Sequence, residues 1–256
     1  MAFLPLFDWT FLGAVAFFAG MVDAVVGGGG LAQIPALMGE FPQAALATLL
    51  GTNKLASIAG TGSAALRFAR RLPIPWEVIL PTVLASLLGA WLGAMAVTWL
   101  PRDVMRPLTL ALMLGVFAYT LAHKNLGYQA TRSLRQQDRL RGAVIGLVIG
   151  FYDGFFGPGA GSFLIFAFVR FLGMDFLQAT ASAKVVNMST NLAAIVFFVF
   201  HVPILWNVCA VMALCNIAGA QVGTALALRK GQQFIRSVFL AVVTVLIVKL
   251  GWDMWR

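Results

Sequence analysis

Side chains that commonly do chemistry are scarce in this chain. Two histidines and two cysteines among 256 residues form no Cys/His cluster of the kind that holds zinc, so no metal site is expected. Cys209 and Cys215 lie in one apolar stretch at a spacing that does not suit a bridge within a helix, and they read as packing residues. Charged residues make up 11% of the sequence, against about a quarter in soluble domains, which excludes a water-surrounded fold. No GxxxxGK[ST] run is present to cradle a nucleotide, and no cofactor is expected. Low-complexity sequence is absent, and no basic stretch precedes the first apolar run, so a cleaved leader is not expected.

What fills the chain is apolar sequence: 61% hydrophobic residues and a mean hydropathy of +0.90. The long runs are Phe11 to Val26, Val78 to Leu100, Leu108 to Leu121, Leu192 to Phe200 with its flanks, and Val238 to Leu250. These dimensions are those of an all-α, multi-pass membrane protein whose length goes into spans. The net charge of +9 sits in short loops, at Arg67, Arg70 and Arg71, at Lys124, Arg132, Arg135, Arg139 and Arg141, and at Arg229, Lys230 and Arg236. That is the positive-inside pattern; no aromatic-interleaved basic surface exists to bind nucleic acid. Membrane lipid is the expected surrounding. Oligomeric state is left open, with a homo-oligomer allowed.

The chain also resembles itself. Shifted by 130 positions without gaps, Gly20 falls on Gly150, Asp23 on Asp153, Gly27 on Gly157, Lys54 on Lys184, Pro73 on Pro203, Trp76 on Trp206, Gly89 on Gly219 and Gly93 on Gly223. The matches fall on Gly, Pro, Trp and charged residues rather than on interchangeable aliphatics, which points to a tandem duplication. The expected organisation is a first transmembrane repeat over 1–123, a basic cytoplasmic linker over 124–140 and a second repeat over 141–256. Each repeat reads as a helix ending in glycines, a short apolar piece, a long helix bearing the lysine, a Pro/Trp turn, a small-residue helix and a final helix. Matching loops carry unlike charge, Arg67 to Arg71 against Phe197 to His201 for example. If the basic member of each pair is cytoplasmic, the repeats have inverted topology with an odd number of segments each, about ten in all; a parallel arrangement of about eight is the rival. The pieces Leu31 to Met38 and Gly161 to Leu172 are short for full spans, which need about 20 residues. Gly89-x-x-x-Gly93 and Gly219-x-x-x-Gly223 predict close helix packing, and Trp76, Trp206, Trp91 and Trp99 suit interfacial anchoring.

Two constellations carry the chemistry. The first is Gly20-Met-Val-Asp23 followed by Gly27-Gly28-Gly29-Gly30, echoed by Gly150-Phe-Tyr-Asp153 and Gly157-Pro158-Gly159-Ala160-Gly161. Successive glycines end a membrane helix, and the freed backbone is tolerated only against protein or a wet cavity. Helices restarting at Leu31 and Ser162 would aim unpaired N–H groups into that cavity, with amides of Gly28, Gly29, Gly159 and Gly161 available to an anion. The second is Gly51-Thr52-Asn53-Lys54 with Ser57 and Thr61, matched by Ser182-Ala183-Lys184 with Asn187, Ser189, Thr190 and Asn191. A lysine near mid-bilayer costs about 2.5–3.5 kcal/mol on insertion scales and needs a partner or water. Lys54 with Ser57 and Thr61, and Lys184 with Asn187 and Asn191, each share a helix face and make polar stripes toward the bundle interior, which with the candidate ligands Thr52 and Asn53 are suited to a small oxyanion. The plainer reading is snorkelling, or a structural ion pair with Asp23 or Asp153. Those two acids are candidates either for coupling to a proton or sodium or for fixed counterions. Gln33, Asn216 and Gln221 read as helix-to-helix hydrogen bonding.

These paired motifs, with Pro35 after the first glycines and Gly157-Pro158-Gly159-x-Gly161 in the second half, resemble the TauE/SafE sulfite exporter family across nearly the whole chain. The resemblance implies a permease in the bacterial cytoplasmic membrane for small sulfur-containing anions such as sulfite or organosulfonates. Ala183 stands where the first half has Asn53, so no amide ligand carries over there. The expected function is a secondary transporter, not an enzyme; the alternative is a channel-like pore lined by the glycine breaks. An intramembrane Lys54 and Ser57 base and nucleophile pair is disfavoured because Asn187 stands at the position matching Ser57.

Overall fold

The structure, a computed structural model, describes residues 6–97, 114, 130 and 134–255. The apolar run Leu108 to Leu121 lies outside the described residues except Leu114, and so do Trp99 and the expected linker before Leu134 except Ala130. Regular structure among the described residues is helical throughout. Helices α1 (Leu6–Val26), α2 (Gly30–Glu40), α3 (Leu46–Ala69) and α4 (Trp76–Ala96) are followed by α5 (Asp138–Phe155), α6 (Ala160–Ala167), α7 (Phe176–His201) and α8 (Trp206–Trp255). The starts of α2 and α6, of α3 and α7, and of α4 and α8 are each 130 positions apart (160 − 30, 176 − 46, 206 − 76).

Local chemistry sets the breaks. Gly27 and Gly157 stand at φ of +80° and +91°, a region that side-chain-bearing residues rarely enter, and they end α1 and α5. A π turn, Phe168–Leu172, extends α6 and closes at left-handed Gly173. Asp175 then caps α7 by accepting from the Gln178 N–H at 2.8 Å. Gly231, at φ 71° and ψ −161°, divides α8 into two helical stretches.

Four stretches among the described residues are long and apolar enough to cross a membrane: Trp9–Val26, Trp76–Ala96, Phe176–His201 and Trp206–Val245. The protein is therefore a multi-pass membrane protein. With 24 residues, α3 is also about 36 Å long, but it buries Thr48, Thr52, Asn53, Lys54 and Thr61, which lowers its hydropathy. With 11 residues, α2 is only about 16 Å long, and α6 is shorter, so neither crosses an apolar layer of about 30 Å alone. Trp76 and Trp206 open α4 and α8 with more than half their surface free, whereas Trp91 packs edge-on against Phe197.

Packing brings the lysine helices to the centre. The two run antiparallel: Gly51 of α3 lies against Phe198 of α7, Lys54 against Asn191, and Gly62 against Met188. Outside them, α4 packs alongside α5 and α8 alongside α1. These contacts are nearly backbone to backbone. A methyl group on Gly89 would sit 2.3 Å from the Leu147 carbonyl oxygen, and one on Gly219 would sit 1.8 Å from that of Phe17. The α5 side of the first contact is Gly142, Gly146, Gly150 and Gly154, one per turn, against Thr82, Ser86 and Ala90. Each outer pair thus joins an early helix to a late one, and two layers result: α1, α2, α3 and α8 on one side, α4, α5, α6 and α7 on the other.

Candidate functional site

The broken helices meet at the middle of the molecule. A methyl group on Gly27 would lie 2.4 Å from the backbone of Gly161, so the chain after α1 and the first turn of α6 touch. The Ser162 hydroxyl ties this crossing by donating to the Val26 carbonyl at 2.7 Å. The expected restarts at Leu31 and Ser162 fall one and two residues into the helices, which begin at Gly30 and Ala160. Neither N-terminus has a side-chain cap, so first-turn N–H groups are left for another acceptor. The Tyr152 hydroxyl donates to the Pro158 carbonyl at 2.7 Å and pins the second break.

The lysines reach across the layers. Lys54 Nζ on α3 donates to Asp153 Oδ1 of α5 at 2.7 Å and to Asn191 Oδ1 of α7 at 3.1 Å. Lys184 Nζ on α7 donates to Asp23 Oδ2 of α1 at 2.9 Å. Each lysine therefore pairs with the acid of the opposite sequence half, and both ion pairs bridge the two helix layers. Asp153 Oδ2 also accepts from Asn187 Nδ2 at 3.4 Å and from the Thr190 hydroxyl. Asp23 Oδ2 accepts from the Thr61 hydroxyl at 3.2 Å.

Beside these pairs lies a polar cavity of about 30 Å³. Of the residues expected from sequence, Asn53, Lys54, Asn187, Asn191, Gly159, Gly161, Asp23 and Asp153 line it. Lys184 is fully buried and stands one hydrogen bond behind the wall, on Asp23. Gly28 is buried, and Gly29 packs on the Ala19 carbonyl and the Asp23 side chain; neither is part of the lining. Thr52 faces away, its hydroxyl donating to the Thr48 carbonyl at 2.8 Å and accepting from the Leu205 N–H at 3.2 Å. Ser57, Thr61, Gly27, Gly30 and Gly157 complete the lining. Ser57 and Thr61 stand on the face of Lys54, three and seven residues beyond it, as their spacing in the sequence leads one to expect. Thr190 is an acid partner that the matched positions hide, since glycine, Gly60, stands 130 positions before it.

The arrangement presents two cations, two anions and two uncapped helix starts around a space large enough for about two waters. Asn53, 6% exposed, keeps its carbonyl oxygen without a partner among the described residues. Gln33 is similar: its Oε1 accepts from Ser57 at 3.3 Å and its Nε2 is unpartnered. Asn216 and Gln221 hold helices together, Asn216 by donating to the Ala16 carbonyl and Gln221 by accepting from Arg67. No group of three or more His, Cys, Asp or Glu that could hold a metal occurs among the described residues.

A family model described as sulfite exporter TauE/SafE matches residues 12–250. A probable membrane transporter protein ORF9 of a Sinorhizobium species is 39% identical over 249 residues, covering 95% of this chain and 92% of that protein. The probable membrane transporter protein YfcA of Escherichia coli K12 is 36% identical, with coverage of 93% and 88%. A probable membrane transporter protein of Haemophilus influenzae is 36% identical, with coverage of 93% and 92%. No solved structure matches the chain.

Proposed function

We propose that this chain, which belongs to the sulfite exporter TauE/SafE family, carries small sulfur-containing anions such as sulfite or organosulfonates across the bacterial cytoplasmic membrane by alternating access. Family and relatives make it a membrane transporter; the substrate class and the mechanism are our reading. The observation that carries it is the cavity at the crossed glycine breaks, with Lys54 on its wall, Lys184 behind it and two uncapped helix starts at its edge. Helix N-termini and lysines both favour anions, and amide groups of Asn53, Asn187 and Asn191 supply the donors that orient an oxyanion.

An oxyanion of four or more heavy atoms exceeds a space for about two waters, so entry requires the layers to part. Because both ion pairs run between layers, separation on either side would free lysine hydrogen-bonding capacity for the substrate. The antiparallel course of α3 and α7, whose lysines are 130 positions apart, supports inverted repeats as the basis of this motion. The units that rock would then be the interleaved layers rather than the sequence halves.

The reading is tested by thermal unfolding in detergent at fixed ionic strength, with sulfite, thiosulfate, sulfate, sulfoacetate and taurine. A bound anion at 100 times its dissociation constant is expected to add about 2.7 kcal/mol of stability, and Lys54→Ala is expected to abolish the shift. Absence of a shift from every one of these compounds would overturn the substrate class.

A further inference from the structure

We infer that one proton, held on Asp23, travels with each transported monoanion and makes the transport electroneutral. The inference rests on the anion reading above. It begins with a charge count: Lys54 and Lys184 are matched by Asp153 and Asp23, so the empty site is neutral. A monoanion added to it would leave one uncompensated negative charge buried among helices, which low-dielectric surroundings oppose. One proton taken up with the anion restores neutrality and leaves Lys184 charged, free to turn from Asp23 to the substrate. The proton arrives from the aqueous phase on the loading side and leaves to the opposite one; no bond is broken but its own to the carboxyl oxygen.

The two acids are not equivalent as proton acceptors. Asp153 is 3% exposed and both its oxygens are engaged, Oδ1 by Lys54 and Oδ2 by Asn187 and Thr190. Asp23 is 17% exposed, and all its hydrogen bonds converge on Oδ2. Its Oδ1 accepts none from the described residues, and the Asp23 side chain lines the cavity, so a proton can be added to that oxygen without breaking a hydrogen bond. The ionisable groups facing Asp23 are Lys184 from α7, Lys54 from α3 and Asp153 from α5, and the cavity wall adds no others. A sodium ion on the same carboxylate would sit beside the Lys184 ammonium and be repelled; a proton, which neutralises the carboxyl, relieves the site instead.

The test uses the whole protein in liposomes with methanesulfonate, which stays a monoanion at every working pH, so any proton that moves was carried by the protein. Methanesulfonate flux and a trapped pH dye are read together, with the membrane potential clamped. One proton per anion and no dependence on potential are expected. Asp153→Glu, which keeps the charge of the site, should keep that ratio in whatever flux remains, and Asp23→Asn should lower it at least fivefold. Infrared difference spectra on methanesulfonate binding give a reading independent of transport: a protonated-carboxyl band is expected in wild type and Asp153→Glu and is absent from Asp23→Asn. Methanesulfonate or sulfite flux without protons, flux of sulfite alone, or loss of the ratio in Asp153→Glu with the ratio kept in Asp23→Asn would overturn the inference and leave the anion reading standing. No flux and no binding of either anion would overturn the reading, and the inference with it.

Discussion

Asp23 and Asp153 occupy matching places, 130 positions apart, and each holds a buried lysine, yet the two pairs are built to different degrees of closure. Around Asp153, Lys54, Asn187 and Thr190 are all donors, and Asn191 holds the lysine from a second side. Around Asp23, among the described residues, there are only Lys184 and Thr61, both on Oδ2, and the side chain lines the cavity. Identical charged groups thus stand in different surroundings: one acid is enclosed by donors on both oxygens, the other is held by one oxygen alone.

The comparison can be broken by removing its parts. Asp153→Ala should have the largest effect, destabilising the folded protein by about 3–5 kcal/mol, because Lys54 and two further donors lose a sealed acceptor. Thermal unfolding in detergent would read it, and Lys54→Ala combined with Asp153→Ala should recover part of the loss. For Asp23→Ala a smaller cost of about 1–3 kcal/mol is expected, since the vacated space joins the cavity and water can solvate Lys184. Equal costs for the two alanines would show that the difference in closure has no energetic weight. At the level of single hydroxyls, Thr190→Val should cost about 1–2 kcal/mol and Thr61→Val about half that, measured by the same unfolding curves. The floor is set by Arg139→Ala: its 2.8 Å bridge to Glu77 joins side chains 47% and 81% exposed and should matter by less than about 1 kcal/mol.

Much of the candidate site was legible in the sequence because a shift of 130 positions marks its charges twice. Asp23, Asp153, Lys54 and Lys184 stand out as charges repeated within apolar surroundings. The crossed pairing was not legible, because it depends on α3 and α7 running antiparallel, which brings the start of one beside the end of the other. Thr52 shows the limit of reading a motif as a unit: two residues before Lys54 is about 200° around a helix, so it faces the α7–α8 connection instead of the cavity. In the fold, the glycine pair on α4 was evident, whereas the glycines spaced by four along α5 make sense only with Thr82, Ser86 and Ala90 opposite them.

The interleaving of early and late helices also has a consequence for how the protein is made. Synthesis delivers α1 first, but the helix that covers its close-packed face is α8, the last described. Throughout elongation that face must wait in lipid or against other chaperoning surfaces, and α4 likewise waits for α5. Assembly is thus fastened from the C-terminal side, like a clasp. A chain stopped before Trp206 would insert its earlier helices yet lack the partner that closes them.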